Sequence, residues 1–234
     1  MNVVITGASR GLGKAMAEGF AALGDSLYIS SQQDLTLYKA VEDLMLKYPK
    51  ATVKARPFDL SVPGQAKELG QWILDSGITP DVLINNAGQF LPGSVYKEKD
   101  GTLEKLIEVN LFSAYHLTRT ILPSMMMQKS GHVFNICSIA SLQAYPNGGS
   151  YSISKFALAG FSKNLREEMK SYGIKVTTVY PGAAYTDSWA ATGMDKRRFM
   201  ESEDIAQMVI ASTRLSPQAC VEDIILRPQG GDIE

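Results

Sequence analysis

Cysteine and histidine are scarce in this chain, and their scarcity argues against two kinds of site. Only Cys137 and Cys220 occur, far apart and in apolar settings, so we expect no disulfide framework and favour a reducing compartment. His116 and His132, the only histidines, have no third ligand at a metal-binding spacing. We therefore predict no metal site.

The chain also lacks a charge excess, long apolar runs and linker-like composition. A formal net charge of −1 gives no field that would gather nucleic acid or anionic lipid. No run approaches the roughly 18 apolar residues that span a bilayer, and the N-terminus shows no signal-peptide pattern, so we expect a cytoplasmic protein without membrane contact. Without repeats or a Gly/Ser/Pro-rich linker, residues 1–234 are expected to form a single domain.

Short β-branched runs alternate with longer segments of helical period. The strands are predicted at 3–5, 26–29, 52–56, 82–84, 132–136, 176–179 and 221–226, and the helices at 11–23, 35–48, 63–75, 102–128, 152–172 and 202–215. This alternation predicts an α/β fold, a doubly wound parallel sheet of about seven strands with helices on both faces. Ligands of such sheets bind beyond the carboxyl ends of the strands.

A glycine-rich turn, Thr6-Gly7-Ala8-Ser9-Arg10-Gly11-Leu12-Gly13, joins the first predicted strand to a helix. Its glycines let the backbone approach a pyrophosphate, and the following helix N-terminus offers free N–H groups to the phosphates. The spacing T-G-x-x-x-G-x-G is neither the G-x-G-x-x-G of many dinucleotide folds nor a Walker P-loop. It predicts a Rossmann-type dinucleotide site.

Tyr151 and Lys155 are four residues apart in a predicted helical segment, so their side chains share one face. An ammonium beside a phenol favours the phenolate and lowers the pKa of the phenol, as a general acid/base requires. Ser138 follows the predicted strand 132–136, where its hydroxyl can donate to a substrate oxygen. Ser141 is a competing hydroxyl.

The glycine turn, Asn85-Asn86-Ala87-Gly88 and the pattern S…Y-x-x-x-K together resemble the short-chain dehydrogenase/reductase family, over essentially the whole chain. The resemblance implies an enzyme that moves a hydride between a nicotinamide and the carbonyl or alcohol carbon of a small substrate. It implies a catalytic tetrad in which Tyr151 is the acid/base, Ser138 positions the substrate oxygen and Lys155 holds the nicotinamide ribose. Asn110, the fourth member, helps hold a water that connects Lys155 to bulk solvent.

The resemblance also implies the cofactor contacts. Those at the adenosine and phosphate end are Gly7, Ser9, Arg10, Gly11, Leu12, Gly13, Ser31, Gln32, Asp59 and Leu60. Those at the nicotinamide end are Asn86, Ala87, Gly88, Tyr151, Lys155, Pro181, Gly182, Ala184 and Thr186. The second strand is followed by no acid until Asp34, and Arg10 lies in the glycine turn, so NADP(H) is favoured and NAD(H) remains possible.

Several alternatives stay open from the sequence. The C-terminal third resembles bacterial sepiapterin-reductase-like members, and 3-oxoacyl-carrier-protein-reductase-like members share the same motifs. An NAD-dependent alcohol dehydrogenase of the family, or a dinucleotide-binding sensor or scaffold without turnover, are the other readings. Family resemblance implies a homodimer or homotetramer through the two long predicted helices. Residues 186–201, which include Trp189, are either a lid or a surface loop.

Overall fold

The computed structural model describes residues 1–186 and 193–232, which contain one seven-stranded parallel sheet. Its strands are β1 (Asn2–Thr6), β2 (Ser26–Ser30), β3 (Thr52–Ala55), β4 (Val82–Asn85), β5 (Gly131–Ile136), β6 (Ile174–Pro181) and β7 (Asp223–Leu226). They lie in the order β3-β2-β1-β4-β5-β6-β7, and every neighbouring pair is parallel. The predicted α/β class and Rossmann-type sheet are confirmed.

Seven α-helices cover the two faces of the sheet within the described ranges. They are α1 (Gly11–Ala22), α2 (Asp34–Lys47), α3 (Gln65–Asp75), α4 (Thr102–Ile107), α5 (Ser113–Gln128), α6 (Gly149–Met169) and α7 (Ser202–Thr213). Apolar residues of α1, α2 and α7 form the core on one face, and those of α3, α5 and α6 form the core on the other. None of these described helices has the length and apolar content that crossing a membrane requires.

Alternation along the strands supplies both cores. In β1, Val3 and Ile5 point into one core and Val4 into the other, as the two-residue period of a strand requires. Both faces of the sheet are therefore apolar, which explains why the strands read as short, continuous hydrophobic runs.

The central strands β1 and β4 define where the fold can hold a ligand. β1 pairs with β4 in the register Val3↔Val82 to Ile5↔Ile84, although the chain places two strands between them. From this pair the connections run outward in opposite directions, so a crevice opens at the carboxyl ends of β1 and β4. The glycine turn and the 85–88 segment leave the sheet at this crevice.

Asn85, the last residue of β4, braces this centre from inside. Its Nδ2 donates to Thr118 Oγ1 on α5 at 2.9 Å and to Asn135 Oδ1 on β5 at 2.8 Å. Asn135 in turn donates to Ser162 Oγ on α6 at 2.8 Å. These buried bonds tie the two long helices to the middle of the sheet.

The bounds of several elements differ from those that the sequence predicts, and three of these differences are the following. The predicted helix 102–128 consists of α4, a π-helical turn (Glu108–Phe112) and α5. The helix predicted to begin at residue 152 begins at Gly149, because two glycines obscure its start in the sequence. The last strand begins at Asp223 instead of residue 221.

Candidate active site

The glycine turn is built so that backbone lies against backbone. Gly7 has a φ of +65°, in the left-handed region that favours glycine. A Cβ on Gly13 would lie 2.2 Å from the Gly7 carbonyl oxygen and 2.6 Å from Asn86 Nδ2. Any side chain at position 13 would therefore force the turn away from the first turn of α1.

The Asn86–Gly88 segment is fastened to this turn by hydrogen bonds. The Thr6 hydroxyl accepts from the backbone N–H groups of Asn86 at 3.0 Å and Ala87 at 2.9 Å. The Asn86 side chain donates to the carbonyl oxygens of Thr6 at 2.9 Å and Gly7 at 3.1 Å. The loops that follow β1 and β4 are therefore joined into one rigid, hydrogen-bonded unit that borders the crevice.

The N-terminus of α1 suits a phosphate group. The residue before it, Arg10, makes no side-chain capping hydrogen bond, and the first turn of α1 contains no acidic residue. The first turns of α2 and α3 contain Asp34 and Glu68. No carboxylate in the first turn of α1 therefore offsets its positive dipole end. The glycine turn, which has few side chains, leaves room for a phosphate to approach the backbone N–H groups. These residues fit a dinucleotide pyrophosphate.

Two side-chain contacts mark the predicted adenosine end. Ser9 Oγ in the glycine turn lies 2.8 Å from Ser31 Oγ after β2. Gln32 Nε2 donates to Asp59 Oδ2 at 3.0 Å, and Ser61 donates to Asp59 Oδ1 through both its hydroxyl and its N–H group. The Ser61 hydrogen bond is the main cause that lowers the pKa of Asp59, which is therefore a carboxylate acceptor near neutral pH. Leu60 beside it is buried.

Tyr151 and Lys155 leave the first turns of α6 on one face, with Lys155 Nζ 6.0 Å from the centroid of the Tyr151 ring. Lys155 is buried and donates to the carbonyl oxygen of Ile136, the last residue of β5, at 2.8 Å. Ser138 follows β5, and its Oγ accepts from the Ala140 N–H at 3.2 Å. The structure thus brings the predicted serine, tyrosine and lysine together at the carboxyl end of β5.

Burial dominates the electrostatics of this group. Burial raises the pKa of Tyr151, and a hydrogen bond with the Ser138 side chain lowers it by a smaller amount. The net pKa of Tyr151 is about 12. Burial also lowers the pKa of Lys155, while Cys137 nearby raises it. The sequence-based expectation that Lys155 lowers the pKa of Tyr151 is not met here, because the ammonium is directed to the Ile136 carbonyl. Tyr151 is accordingly a neutral phenol near pH 7.

Asn110 lies in the π-helical turn and points inward, with 1% of its surface exposed. Its Nδ2 donates to Ser154 Oγ at 2.8 Å, and both ends of its carboxamide bond the backbone of Gln89. A Cβ on Gly88 would lie 3.0 Å from Asn110 Oδ1 and 3.3 Å from Lys155 Nζ, so both groups face the same glycine. The predicted fourth position therefore adjoins Lys155 and, through Ser154, the helix that carries Tyr151.

The loop after β6 closes the crevice from the far side. Pro181 ends β6, and the Gly182 N–H donates to the Leu226 carbonyl at 2.7 Å. Ala184 is buried and forms a β-bridge with Met200. The Thr186 methyl would lie 3.3 Å from a Cβ on Gly11, so this loop borders the glycine turn.

The segment 186–201, expected to be either a lid or a surface loop, falls partly outside the described residues, because residues 187–192, Trp189 among them, are not described. The part that follows is a short 3-10 turn, Lys196–Arg198.

Two residues at this site escaped the sequence analysis. The ring of Phe90 meets the Tyr151 ring edge-on, with centroids 4.8 Å apart at 82°. Glu98 accepts a hydrogen bond from the Ser150 N–H at 2.9 Å, next to Tyr151 in the chain. Phe90 lies two residues after Gly88, which is the one sequence signal that could have indicated it. Glu98 has no such signal.

Comparisons with known proteins agree with this geometry. A family model described as short chain dehydrogenase matches residues 1–197. Sepiapterin reductase of Chlorobaculum tepidum is 30% identical over 240 aligned positions, covering 99% of this chain and 98% of that protein. A protein of Staphylococcus epidermidis, described as an uncharacterized oxidoreductase, is 26% identical over 225 positions, covering 96% of each chain.

Solved structures give the same result. A metagenomic short-chain oxidoreductase in complex with NADP superimposes with a TM-score of 0.85 at 28% identity, covering 98% of this chain and 97% of that one. L-sorbose reductase from Gluconobacter frateurii, complexed with NADPH and L-sorbose, superimposes with a TM-score of 0.90 at 25% identity, covering 97% and 95%. The chain belongs to the short-chain dehydrogenase family, and the prediction of an oxidoreductase of that family is confirmed.

Proposed function

We propose that this protein is an NADP(H)-dependent reductase of small carbonyl compounds that works through Asn110, Ser138, Tyr151 and Lys155. The observation that carries the proposal is the convergence of these four side chains at the crevice that the glycine turn borders. They come from three separate segments of the chain: the π-helical turn, the loop after β5, and α6, whose first two turns carry Tyr151 and Lys155. Lys155 is buried at this crevice, and burying a cation costs free energy. A buried lysine beside a ligand crevice therefore indicates a functional role.

The bound nicotinamide supplies the hydride in reduction and accepts it in oxidation. Tyr151 donates its phenolic proton to the substrate oxygen, and the pKa of about 12 keeps that proton on the phenol until it is needed. Ser138 donates a hydrogen bond to the same oxygen as negative charge develops on it. Lys155, whose ammonium donates to the Ile136 carbonyl oxygen in the structure, would hold the nicotinamide ribose.

Asn110 contributes by holding the site together. Both N–H donors of its side chain are used by the Gln89 carbonyl and Ser154, and Oδ1 accepts from the Gln89 N–H, so a water that returns a proton to the Tyr151 phenolate by way of Lys155 would be held by the backbone of the π-helical turn. Ser154 donates to the Tyr151 carbonyl at 2.7 Å, which connects Asn110 to the residue that carries the proton.

The choice of NADP(H) rests on the residues after β2. Ser9, Arg10, Ser31 and Gln32 offer hydroxyl, guanidinium and amide groups where NAD-binding relatives of this fold place a carboxylate. Hydroxyl groups and an arginine suit a 2′-phosphate, whereas a carboxylate would repel it. Two structurally similar proteins contain NADP or NADPH, which supports this choice.

The test is a reductase assay with purified protein, NADPH and a panel of ketones, aldehydes and diketones, followed by the loss of NADPH absorbance. We expect turnover with at least one carbonyl, and loss of turnover in Tyr151→Phe with unchanged NADPH binding. NADPH binding without reduction of any carbonyl would favour a sensor or scaffold instead. Faster turnover with NADH than with NADPH would favour the NAD-dependent alternative.

We also propose that the protein forms a homodimer or homotetramer through α5 and α6. Between them lies a groove of about 670 Å³ with an apolar lining that includes Leu111, Phe112, Tyr115, Pro123, Met126 and Phe161. Its lining also contains one cation, Arg119, and one carboxylate, Glu168, so the groove has no charge excess that would repel a second copy. Sedimentation velocity should give a dimer or larger species that Met126→Glu converts to monomer. A monomeric wild-type protein would refute this assembly.

A cytoplasmic location remains part of the proposal and rests on the cysteines. Cys137 and Cys220 are both free thiols, and Cys137 is buried next to Lys155. Burial raises the pKa of the Cys137 thiol to about 12, which disfavours the reactive thiolate form.

A further inference from the structure

The helix that carries Tyr151, α6, has no capping side chain at its own N-terminus. α6 begins at Gly149, directly after Gly148, and neither residue has a side chain that could cap the first turn. No acidic residue lies in that first turn. Tyr151 is the third residue of α6, so any fraying there would move its phenol.

A cap is supplied from a distant loop by Glu98. Its carboxylate accepts from the Ser150 N–H at 2.9 Å, across 52 residues of chain, and also from the Ser150 hydroxyl. Hydrogen bonds to a charged acceptor are roughly twice as strong as neutral ones, and a negative charge at a helix N-terminus is favourable. Glu98 therefore replaces the cap that α6 lacks.

Gly149 permits this contact because it has no side chain. A Cβ there would lie 2.1 Å from Glu98 Oε1 and 2.3 Å from the Gly93 carbonyl oxygen. The Gly93 N–H donates to the Asn147 carbonyl at 3.0 Å, just before α6 begins. The loop of residues 89–98 thus contacts the start of α6 through both Gly93 and Glu98.

The same loop also bounds the Tyr151 ring. Phe90, eight residues before Glu98, packs its ring edge-on against Tyr151 with centroids 4.8 Å apart. Glu98 thus orders the first turn of α6 and lies in the same loop as the Phe90 ring that packs against the phenol.

We propose that Glu98 is a positioning residue for proton transfer by Tyr151, a role that rests on the proposed reductase function. Glu98 acts through Ser150 and through the loop that carries Phe90. Proton transfer requires close alignment of donor and acceptor, so it depends on the position of the Tyr151 phenol. The glycine turn, which is proposed to bind the cofactor phosphates, joins β1 to α1 and is a separate segment from the start of α6. Loss of Glu98 should therefore affect kcat and leave cofactor binding unchanged.

The kinetic test compares three variants. Glu98→Ala should lower kcat about 10- to 100-fold, the range that a small misplacement of a reacting group produces, while KM for NADPH stays at the wild-type value. Glu98→Gln should retain most of the wild-type kcat, because its amide oxygen still accepts from the Ser150 N–H. Glu104→Ala, which removes an exposed carboxylate from the first turn of α4, is the matched control and should behave as wild type.

Hydrogen–deuterium exchange of the protein without cofactor supplies a readout independent of turnover. In Glu98→Ala the amides at the start of α6 should exchange faster, with the rest of α6 and the glycine turn unchanged. Wild-type kcat in Glu98→Ala overturns the positioning role, and so does a kcat loss accompanied by faster exchange throughout the protein. A wild-type protein that reduces no carbonyl overturns the proposed function itself, which is a distinguishable result.

Discussion

Asn110 and the backbone of Gln89 form a closed pair of hydrogen bonds: Asn110 Oδ1 accepts from the Gln89 N–H at 2.7 Å, and Nδ2 donates to the Gln89 carbonyl at 3.1 Å. This pair joins the π-helical turn to the loop that follows Gly88. Because Nδ2 also reaches Ser154 on α6, a single buried side chain connects three segments of the site.

Replacing Asn110 by leucine should therefore destabilise the whole protein as well as the site. The leucine fills a similar volume but leaves the half-buried Gln89 N–H and carbonyl without their partners, at a cost of about 2–4 kcal/mol in the free energy of unfolding. Urea denaturation measures this cost. Gln71→Leu, on the exposed face of α3, is the control and should change stability by less than about 0.5 kcal/mol. Equal effects of the two variants would contradict the role of Asn110.

Gly13→Ala should impair cofactor binding more than folding. The new Cβ would lie 2.2 Å from the Gly7 carbonyl oxygen, so the glycine turn must shift away from α1. We expect the displaced turn to fit the phosphates poorly and to raise the NADPH Kd roughly 5- to 150-fold, the equivalent of about 1–3 kcal/mol of binding free energy. Fluorescence titration with NADPH gives the Kd, and circular dichroism verifies the fold. A wild-type Kd would show that phosphates do not bind at this turn.

Ser31→Asp should shift the cofactor preference toward NADH. The carboxylate would be placed beside Ser9, where a 2′-phosphate is proposed to bind, and like charges in contact cost several kcal/mol. We expect the ratio of kcat/KM for NADPH over NADH to fall on the order of 100-fold. Ser31→Ala removes the hydroxyl without adding charge and should change the ratio far less. An unchanged ratio in Ser31→Asp would remove Ser31 from the cofactor site.

His132 should make the protein sensitive to acid. Burial, with a smaller contribution from Lys175, lowers the pKa of His132 to about 3. The unfolded chain takes up a proton near pH 6.5 while the folded protein does not, so stability is full above that pH and falls as the pH decreases toward 3. The free energy of unfolding should drop by about 2 kcal/mol from this residue between pH 7 and pH 5.

The comparison of His132→Gln with His116→Gln isolates this contribution. His132 Nε2 bonds Thr177 Oγ1 at 2.7 Å inside the sheet, whereas His116 lies half-buried on α5. Urea denaturation over the same pH range should show a flatter dependence in His132→Gln only. The same slope in both variants would mean that His132 is not held in its neutral form.

The features that could be predicted from the sequence are those that depend on residues close together in the chain. Apolar runs alternating with helical period predicted the parallel sheet, because the two faces of each strand must both be covered. The glycine turn was recognisable because its function depends on consecutive residues. Tyr151 and Lys155 alone were ambiguous, since pairs at this spacing occur on many helices.

What could not be predicted depends on contacts between distant segments. Glu98 and Ser150 are 52 residues apart, and no periodicity connects a loop carboxylate to a helix start. The π-helical turn at Asn110 was hidden because its apolar pattern continues into α5 without a break. The protonation state of Tyr151 depends on burial, which a spacing of four residues does not report.

The position of β1 at the centre of the sheet also bears on how the chain reaches its native state. β1 pairs with β2 about 24 residues away and with β4 about 79 residues away, so its second pairing closes a long loop. Long-range parallel pairings of this kind slow folding and leave strand edges exposed meanwhile. Until Val82–Ile84 pair with Val3–Ile5, the two halves of the sheet remain separate, so the crevice between them cannot form before this long-range pairing does.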